Sequence, residues 1–106
     1  MKKYEIVKEH KDFDSIIQTG RYTKGYHFVI YNKDSNFSYP RFGIAVGKKV
    51  GNAVTRNKLK RQVRMILTNN KKSFSNNKDY IIIVKKSALD ISYGEMEEEI
   101  VHLIEK

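Results

Sequence analysis

Residues 41–64 read RFGIAVGKKVGNAVTRNKLKRQVR, a short apolar run followed by a basic segment with helical spacing. The apolar run FGIAVG, at 42–47, predicts a strand. Asn52 is a residue type that caps helix N-termini, and we expect a helix from there to about residue 69. Its apolar positions fall on one stripe, at Leu59, Val63, Ile66 and Leu67. This stretch therefore predicts a strand, a turn and an amphipathic helix, in that order.

The segment before this unit predicts one helix and two strands. Residues 12–19 carry apolar side chains at helical spacing, and Gly20 follows as a common helix stop. A short strand is expected near 21–25, and the β-branched and aromatic residues of YHFVIYN, at 26–32, predict a longer one. Its alternation places Phe28 and Ile30 on one face and His27, Val29 and Tyr31 on the other.

The segment after the basic helix predicts a polar loop, a buried strand and a last helix. SFSNNKD, at 73–79, has the composition of a loop, and the apolar run YIIIV, at 80–84, predicts a strand covered on both faces. Ser92 and Glu95 have capping-box spacing at the start of the last helix. Because a helix separates them, strands 42–47 and 80–84 would be parallel if they are neighbours.

The charge of the chain is concentrated in its middle. The formal net charge is +9, yet residues 35–78 hold eleven Lys or Arg and no acid, whereas residues 79–106 are net acidic. An acid-free block of this length predicts a polyanionic partner, nucleic acid before an anionic membrane surface. A membrane-surface helix is disfavoured because the apolar face of residues 52–69 is aliphatic, without Trp or Phe.

The remaining composition predicts a cytoplasmic protein with a single domain over 1–106. The chain has no cysteine, which excludes disulfides and thiolate metal sites. The N-terminal segment lacks the apolar stretch of a signal peptide, and no apolar run approaches the roughly 20 residues of a membrane-spanning helix.

Three cations of the basic helix, Arg56, Lys60 and Arg64, follow one another along a stripe beside the apolar face. Like charges four residues apart cost roughly a few tenths of a kcal/mol each, so we expect an external partner to offset the repulsion. Phosphate is the matching group, because guanidinium forks bind it through two hydrogen bonds and counterion release adds free energy. The alternative is a solvated helix face, but such faces usually mix both signs of charge.

Other patterns in the sequence do not predict a catalytic or metal site. GIAVGKK, at 43–49, differs from a phosphate-binding loop in its glycine spacing and lacks the Ser or Thr that holds Mg²⁺. His10, His27 and His102 lie on three different expected elements, without ligand spacing. Helix capping and a solvated helix face explain the carboxylates at 95–99. With no paired nucleophile and base, we expect no catalytic residue and no RNA cleavage by the protein alone.

Residues 41–64 resemble the signature of the bacterial ribonuclease P protein subunit. That family combines a glycine-containing strand, two lysines, GNAV, an Arg-Asn-Arg type of motif and Lys-Arg, and each has a counterpart here in the same order. Weaker similarity extends to DF at 12–13, FVIY at 28–31 and DYIIIVKKSA at 79–88. The resemblance covers nearly the whole chain.

The resemblance implies an α+β fold, a small two-layer α/β sandwich with the element order α-β-β-β-α-β-α. Its central sheet would be mostly antiparallel, with a left-handed β-α-β crossover against the usual right-handed rule. It implies a subunit of the ribonucleoprotein endonuclease that removes the 5′ leader from precursor tRNA. The implied partners are ribonuclease P RNA, in a 1:1 complex, and precursor tRNA, with no membrane or small-molecule cofactor. Mg²⁺, bound mainly by the RNA, would support catalysis by that RNA.

The same resemblance assigns two sets of binding residues. The RNA-binding set comprises Lys48, Lys49, Asn52, Arg56, Asn57, Lys58, Lys60, Arg61 and Arg64. The cleft for the leader comprises Phe13, Ile17, Val29 and Tyr31. Lys58 stands where the family has arginine, so it keeps the charge but lacks the planar fork. Ile17 stands where an aromatic residue is common, so it lacks a ring for stacking. The alternative is a ribosomal or general RNA-binding protein, which charge and periodicity alone do not exclude.

Overall fold

The computed structural model describes residues 2–105, which form three α-helices and one four-stranded sheet. The helices are α1 (His10–Thr19), α2 (Ala53–Asn69) and α3 (Tyr93–Glu105). The strands are β1 (Arg21–Lys24), β2 (Phe28–Asp34), β3 (Arg41–Val46) and β4 (Lys78–Val84). Short 3₁₀ turns occupy Lys3–Glu5, Lys48–Val50, Lys71–Ser73 and Lys86–Asp90. The order α-β-β-β-α-β-α is the one that the sequence predicts.

Strand β4 lies inside the sheet, whose strand order is β1-β2-β4-β3. It pairs antiparallel with β2 and parallel with β3. Ile81 and Ile82 point to opposite faces of the sheet, and both are buried. The run YIIIV is apolar throughout because both faces of this strand are covered, which confirms the prediction.

Helix α2 connects β3 to β4, and these two strands are parallel neighbours, as predicted. The predicted N-cap is also present, since Asn52 Oδ1 accepts a hydrogen bond from the Thr55 amide at 2.9 Å. The other two strand pairings are antiparallel, so the sheet is mostly antiparallel. The left-handed sense of the crossover stays a prediction.

Helix α3 begins with the predicted capping box. The Ser92 amide donates to Glu95 Oε1 at 3.1 Å, and the Glu95 amide donates to Ser92 Oγ at 3.2 Å. The hydrogen bond from the Ser92 amide, and then that with the Ser92 side chain, lower the pKa of Glu95 below its ordinary value. The carboxylate of Glu95 therefore serves as part of the N-terminal cap of α3.

The main hydrophobic core lies between one face of the sheet and the two helices α2 and α3. The whole predicted stripe of α2 is buried in it. Its other large members include Phe28, Ile30, Phe42, Ile82 and Met96. This packing of a sheet against two helices forms the expected sandwich.

A smaller apolar cluster lies on the other face of the sheet, beneath α1. Its buried members are Val7, Ile16 and Ile81, and Phe13, Ile17, Tyr31 and Ile83 pack around them. Helix α1 packs against β2 and β4, the two central strands. It therefore covers the middle of this face and leaves the surface of β1 open.

The prediction that His27 shares a strand face with Val29 and Tyr31 is wrong. Strand β2 begins at Phe28, and a turn closed by the Gly25 amide and the Phe28 carbonyl precedes it. The imidazole Nδ1 of His27 lies 2.8 Å from Ser87 Oγ. Alternation along the strand thus places Val29 and Tyr31 on the α1 face but does not extend to His27.

The polar-loop interpretation of 73–79 is wrong at both ends. Phe74 is only 4% exposed, and its ring packs edge-on against Phe42 and Tyr80, with centroids 4.8 and 4.9 Å away. Strand β4 already begins at Lys78. The burial of one aromatic side chain outweighs the polar composition around it.

Gly20 sits where α1 ends and β1 begins, close against the backbone of β2. A Cβ at this position would overlap the carbonyl oxygen of Ile16 and lie 2.6 Å from that of Asn32. Backbone atoms held in a helix and a strand cannot move aside as a side chain can. The lack of a Cβ here allows α1 to turn directly onto the sheet.

We expect Gly20→Ala to lower the free energy of unfolding by about 1–3 kcal/mol, because the added methyl group overpacks a rigid backbone. Urea unfolding monitored by circular dichroism measures the change. Gly47→Ala is the matched control, since no atom lies within 4 Å of a Cβ there. Equal stability of Gly20→Ala and the wild type would contradict this close approach.

Candidate nucleic-acid interface

One flank of α2 carries the predicted cationic stripe. Lys60 and Arg64 line a concavity of about 170 Å³ between this helix and β3. Arg56 lies one helical turn before Lys60. Its buried Nε has no hydrogen-bond partner within residues 2–105. The two cations that face this concavity, Lys60 and Arg64, could both bind an anionic oxygen there.

The other predicted RNA-binding residues surround this flank or lie away from it. Lys48 and Lys49 are exposed in the turn before α2, and Asn57 and Arg61 are exposed on its outer surface. Lys58 lies on the opposite flank, where it lines a separate groove with Val54 and Leu89. The structure does not bring Lys58 together with Lys60 and Arg64. Asn52 is engaged through its side-chain oxygen in capping α2.

The four residues predicted for the leader cleft share the α1 face of the sheet. Phe13 and Ile17 project from α1, while Val29 and Tyr31 lie opposite Ile83 and Ile81 in the strand register. All four are half-buried, so each combines a packing role with an accessible surface. The structure thus brings the set together as a shallow apolar and aromatic surface.

Gly43 on β3 sets the distance between Phe13 and the sheet. A Cβ on this glycine would lie 2.7 Å from Ile81 Cδ1 and 3.0 Å from Phe13 Cε2. Any larger residue would push the aromatic ring outward. The glycine in the FGIAVG strand therefore lets the ring of Phe13 lie flush against β3.

The cleft and the basic flank meet in one concavity. The 170 Å³ space that Lys60 and Arg64 line is also lined by Phe13, Gly43 and Ile44. An aromatic ring from the first helix and two cations from the second thus face the same volume, although about 50 residues separate them in the sequence. A ring surface and two positive charges therefore border one space.

The N-terminal segment forms a further wall of this concavity. Ile6 and Val7 line it, and the Val7 amide donates to the Phe42 carbonyl at 2.8 Å along the edge of β3. The buried carboxylate of Glu5 holds the segment through Lys71, whose Nζ lies 2.9 Å away. Burial alone would raise the pKa of Glu5, but Lys71 and the backbone amide of Lys2 outweigh it and lower the pKa.

Arg41 on β3 and Asp79 on β4 form an ion pair that the sequence analysis did not identify. Arg41 donates to both oxygens of Asp79, from Nε at 2.8 Å and from the terminal nitrogen at 2.6 Å. These bonds raise the pKa of Arg41. Two of the eleven cations in residues 35–78, Arg41 and Lys71, are therefore paired with acids from outside that block. The basic surface available to a partner is smaller than the composition suggests.

Tyr22 is a second residue that the sequence analysis did not identify. It lies directly opposite Tyr31 in the register of β1 and β2, and the two ring centroids are 5.5 Å apart. The strand expected near 21–25 contained the signal, because antiparallel pairing across a short turn places these positions on one face.

The described part of the chain has two further properties that bear on function. Within residues 2–105, no group of three His, Asp or Glu side chains is placed to hold a metal ion. None of the helices described here is both long and apolar enough to cross a bilayer.

Comparison of the sequence with known proteins gives matches over its whole length. The model of the family described as Ribonuclease P matches residues 1–106. The ribonuclease P protein component of Mycoplasma capricolum is 44% identical over 107 residues, which cover 100% of this chain and 98% of that protein. The Streptococcus pneumoniae component is 38% identical, with coverage of 98% and 85%.

Comparison of the fold with solved structures gives the same kind of match. A mutant Staphylococcus aureus RNase P protein, described as having defective mRNA degradation activity, superposes with a TM-score of 0.90 at 32% identity, covering 97% of this chain and 87% of that one. The RNase P protein from Thermotoga maritima gives a TM-score of 0.86 at 29% identity, with 94% of each chain covered.

Proposed function

Since this chain belongs to the ribonuclease P family, as a protein component of that complex, we propose that it binds both the catalytic RNA and the 5′ leader of precursor tRNA. In this proposal the protein acts in the cytoplasm, one copy per RNA, and assists removal of the leader. The RNA performs the cleavage, and the protein contributes affinity and charge.

The shared concavity carries this proposal. A single-stranded nucleic acid presents bases and phosphates in alternation, and such strands bind where aromatic rings adjoin a cationic groove. Here Phe13 faces the same space as Lys60 and Arg64. We assign the leader to the α1 face, with its bases against Phe13, Ile17, Val29 and Tyr31 and its phosphates towards α2.

The catalytic RNA is assigned to the exposed surface of α2, including both of its flanks, and to the turn before it. Lys48, Lys49, Asn52, Arg56, Asn57, Lys58, Lys60, Arg61 and Arg64 are the proposed contacts. Each neutralised phosphate releases condensed counterions, so binding should weaken steeply as salt is raised. Cations between two RNA molecules also reduce their repulsion, which would lower the Mg²⁺ concentration that cleavage needs.

Mg²⁺ belongs to this proposal as an ion held mainly by the RNA. When bound, it would stabilise charge on the reacting phosphate and activate water. We assign no side chain of this protein as its ligand. The protein residues act by positioning RNA and by supplying positive charge.

The decisive test is cleavage of precursor tRNA at low Mg²⁺ by transcribed ribonuclease P RNA, with and without this protein. The proposal requires cleavage at the mature 5′ end that depends on this protein and not on an unrelated protein of similar charge. The protein without RNA should be inactive. Equal rescue by the charge control would instead favour a general RNA-binding protein.

We expect Arg64→Ala to raise the Mg²⁺ concentration that half-maximal cleavage requires, more than Lys58→Ala does. The reason is that Arg64 faces the shared concavity whereas Lys58 lies on the opposite flank. Mg²⁺ titrations of the two reconstituted variants measure the difference. Both residues are cations on α2, so the pair controls for net charge. Equal shifts would mean that RNA contacts both flanks alike.

We expect Tyr31→Ala to weaken binding of precursor tRNA to the holoenzyme while sparing mature tRNA. Loss of one base-stacking contact costs about 1–3 kcal/mol, or about fivefold to 150-fold in affinity. Equilibrium binding of both tRNAs provides the measurement, with Tyr31→Phe as the variant that keeps the ring. Equal losses on both tRNAs would remove Tyr31 from the leader site.

A further inference from the structure

The open surface of β1 adjoins the proposed leader cleft. Tyr22 is 63% exposed, and its ring is tilted 37° from that of Tyr31, with the centroids 5.5 Å apart. The two tyrosines are opposite each other in the register, so both project from the α1 face of the sheet. Because α1 packs on β2 and β4, the outer side of the Tyr22 ring faces solvent.

Cationic side chains flank this pair on the same face. Lys24 is exposed and lies opposite Val29 in the register, two positions along β1 from Tyr22. Lys33 lies two positions along β2 from Tyr31, and its Nζ donates to Ser15 Oγ at 2.7 Å. An open aromatic ring with cations on both sides has the composition of a single-stranded nucleic-acid platform.

A purely structural role would explain the ring face of Tyr22 that contacts Tyr31. It would not explain the ring face that is exposed to solvent. Cross-strand aromatic pairs stabilise hairpins through the ring surfaces that face each other. In this pair, the side of Tyr22 away from Tyr31 contributes nothing to that contact. An exposed aromatic face is a surface on which an unpaired base can stack.

We propose that Tyr22 extends the leader site, stacking one further unpaired nucleotide beyond the one on Tyr31. This inference rests on the proposed function, because it assumes that the leader occupies the α1 face. In this inference, Tyr22 helps to determine how many leader nucleotides the protein contacts. The added nucleotide lies over β1, with its phosphates towards Lys24.

The test is holoenzyme affinity for a series of precursor tRNAs whose leaders are shortened one nucleotide at a time, with mature tRNA as the end point. The variants are Tyr22→Ala, Tyr22→Phe and Tyr31→Ala. Tyr26→Ala is the matched control, because Tyr26 is 87% exposed in the adjoining turn and its ring lies beside His27, away from the cleft. Circular dichroism verifies that each variant is folded.

The wild type should gain affinity in steps as the leader lengthens. Tyr22→Ala should abolish one late step, a loss of about fivefold or more, and bind shorter leaders normally. Tyr22→Phe and Tyr26→Ala should retain every step. Loss of the step in Tyr22→Phe as well would overturn stacking as its cause.

The remaining outcomes distinguish a failure of this inference from a failure of the proposed function. If Tyr31→Ala loses leader preference while Tyr22→Ala keeps every step, the role of Tyr22 is wrong and the leader cleft stands. If the wild type does not distinguish precursor from mature tRNA, both are wrong. A uniform loss by Tyr22→Ala across all leader lengths would reduce Tyr22 to a residue that stabilises the hairpin.

Discussion

The burial of β4 on both faces determines where every other element of this protein can lie. Ile81 on one side and Ile82 on the other must both be kept from water, so helices are needed on both faces of the sheet. Helices α2 and α3 cover the first face, and α1 covers the middle of the second. Strands β2 and β3 complete the hydrogen bonding of β4 at its two sides.

The position of β3 at the edge of the sheet explains how one concavity borders both the α1 face of the sheet and the cationic flank of α2. Phe42 and Gly43 point to opposite faces, yet both border the same space, because at an edge strand the two faces meet. Helix α2 leaves the end of β3 and returns to β4, so its cationic flank runs alongside that edge. An aromatic ring from α1 and cations from α2 therefore border one space.

Local signals predicted much of this structure, and long-range pairing decided the rest. The cap at Asn52, the capping box at Ser92 and the cationic stripe of α2 depend on spacings of a few residues, which the sequence displays directly. The hydrogen bond from Arg41 to Asp79 joins positions 38 residues apart, and that from Lys71 to Glu5 joins positions 66 residues apart. No local sequence pattern predicts such pairs. The proposal of the leader-cleft residues relied on resemblance, because periodicity indicates only which residues of one element share a face.

The strand order has a consequence for how the protein is made. Since β2 pairs with β4 and not with β3, a nascent chain that ends before Lys78 lacks the strand that joins the two halves of the sheet. The basic segment 53–69 is synthesised earlier, before the strand that lies between β2 and β3 is available. Non-local contacts of this kind form late. The concavity beside β3 therefore takes shape only after residues 78–84 have joined the sheet.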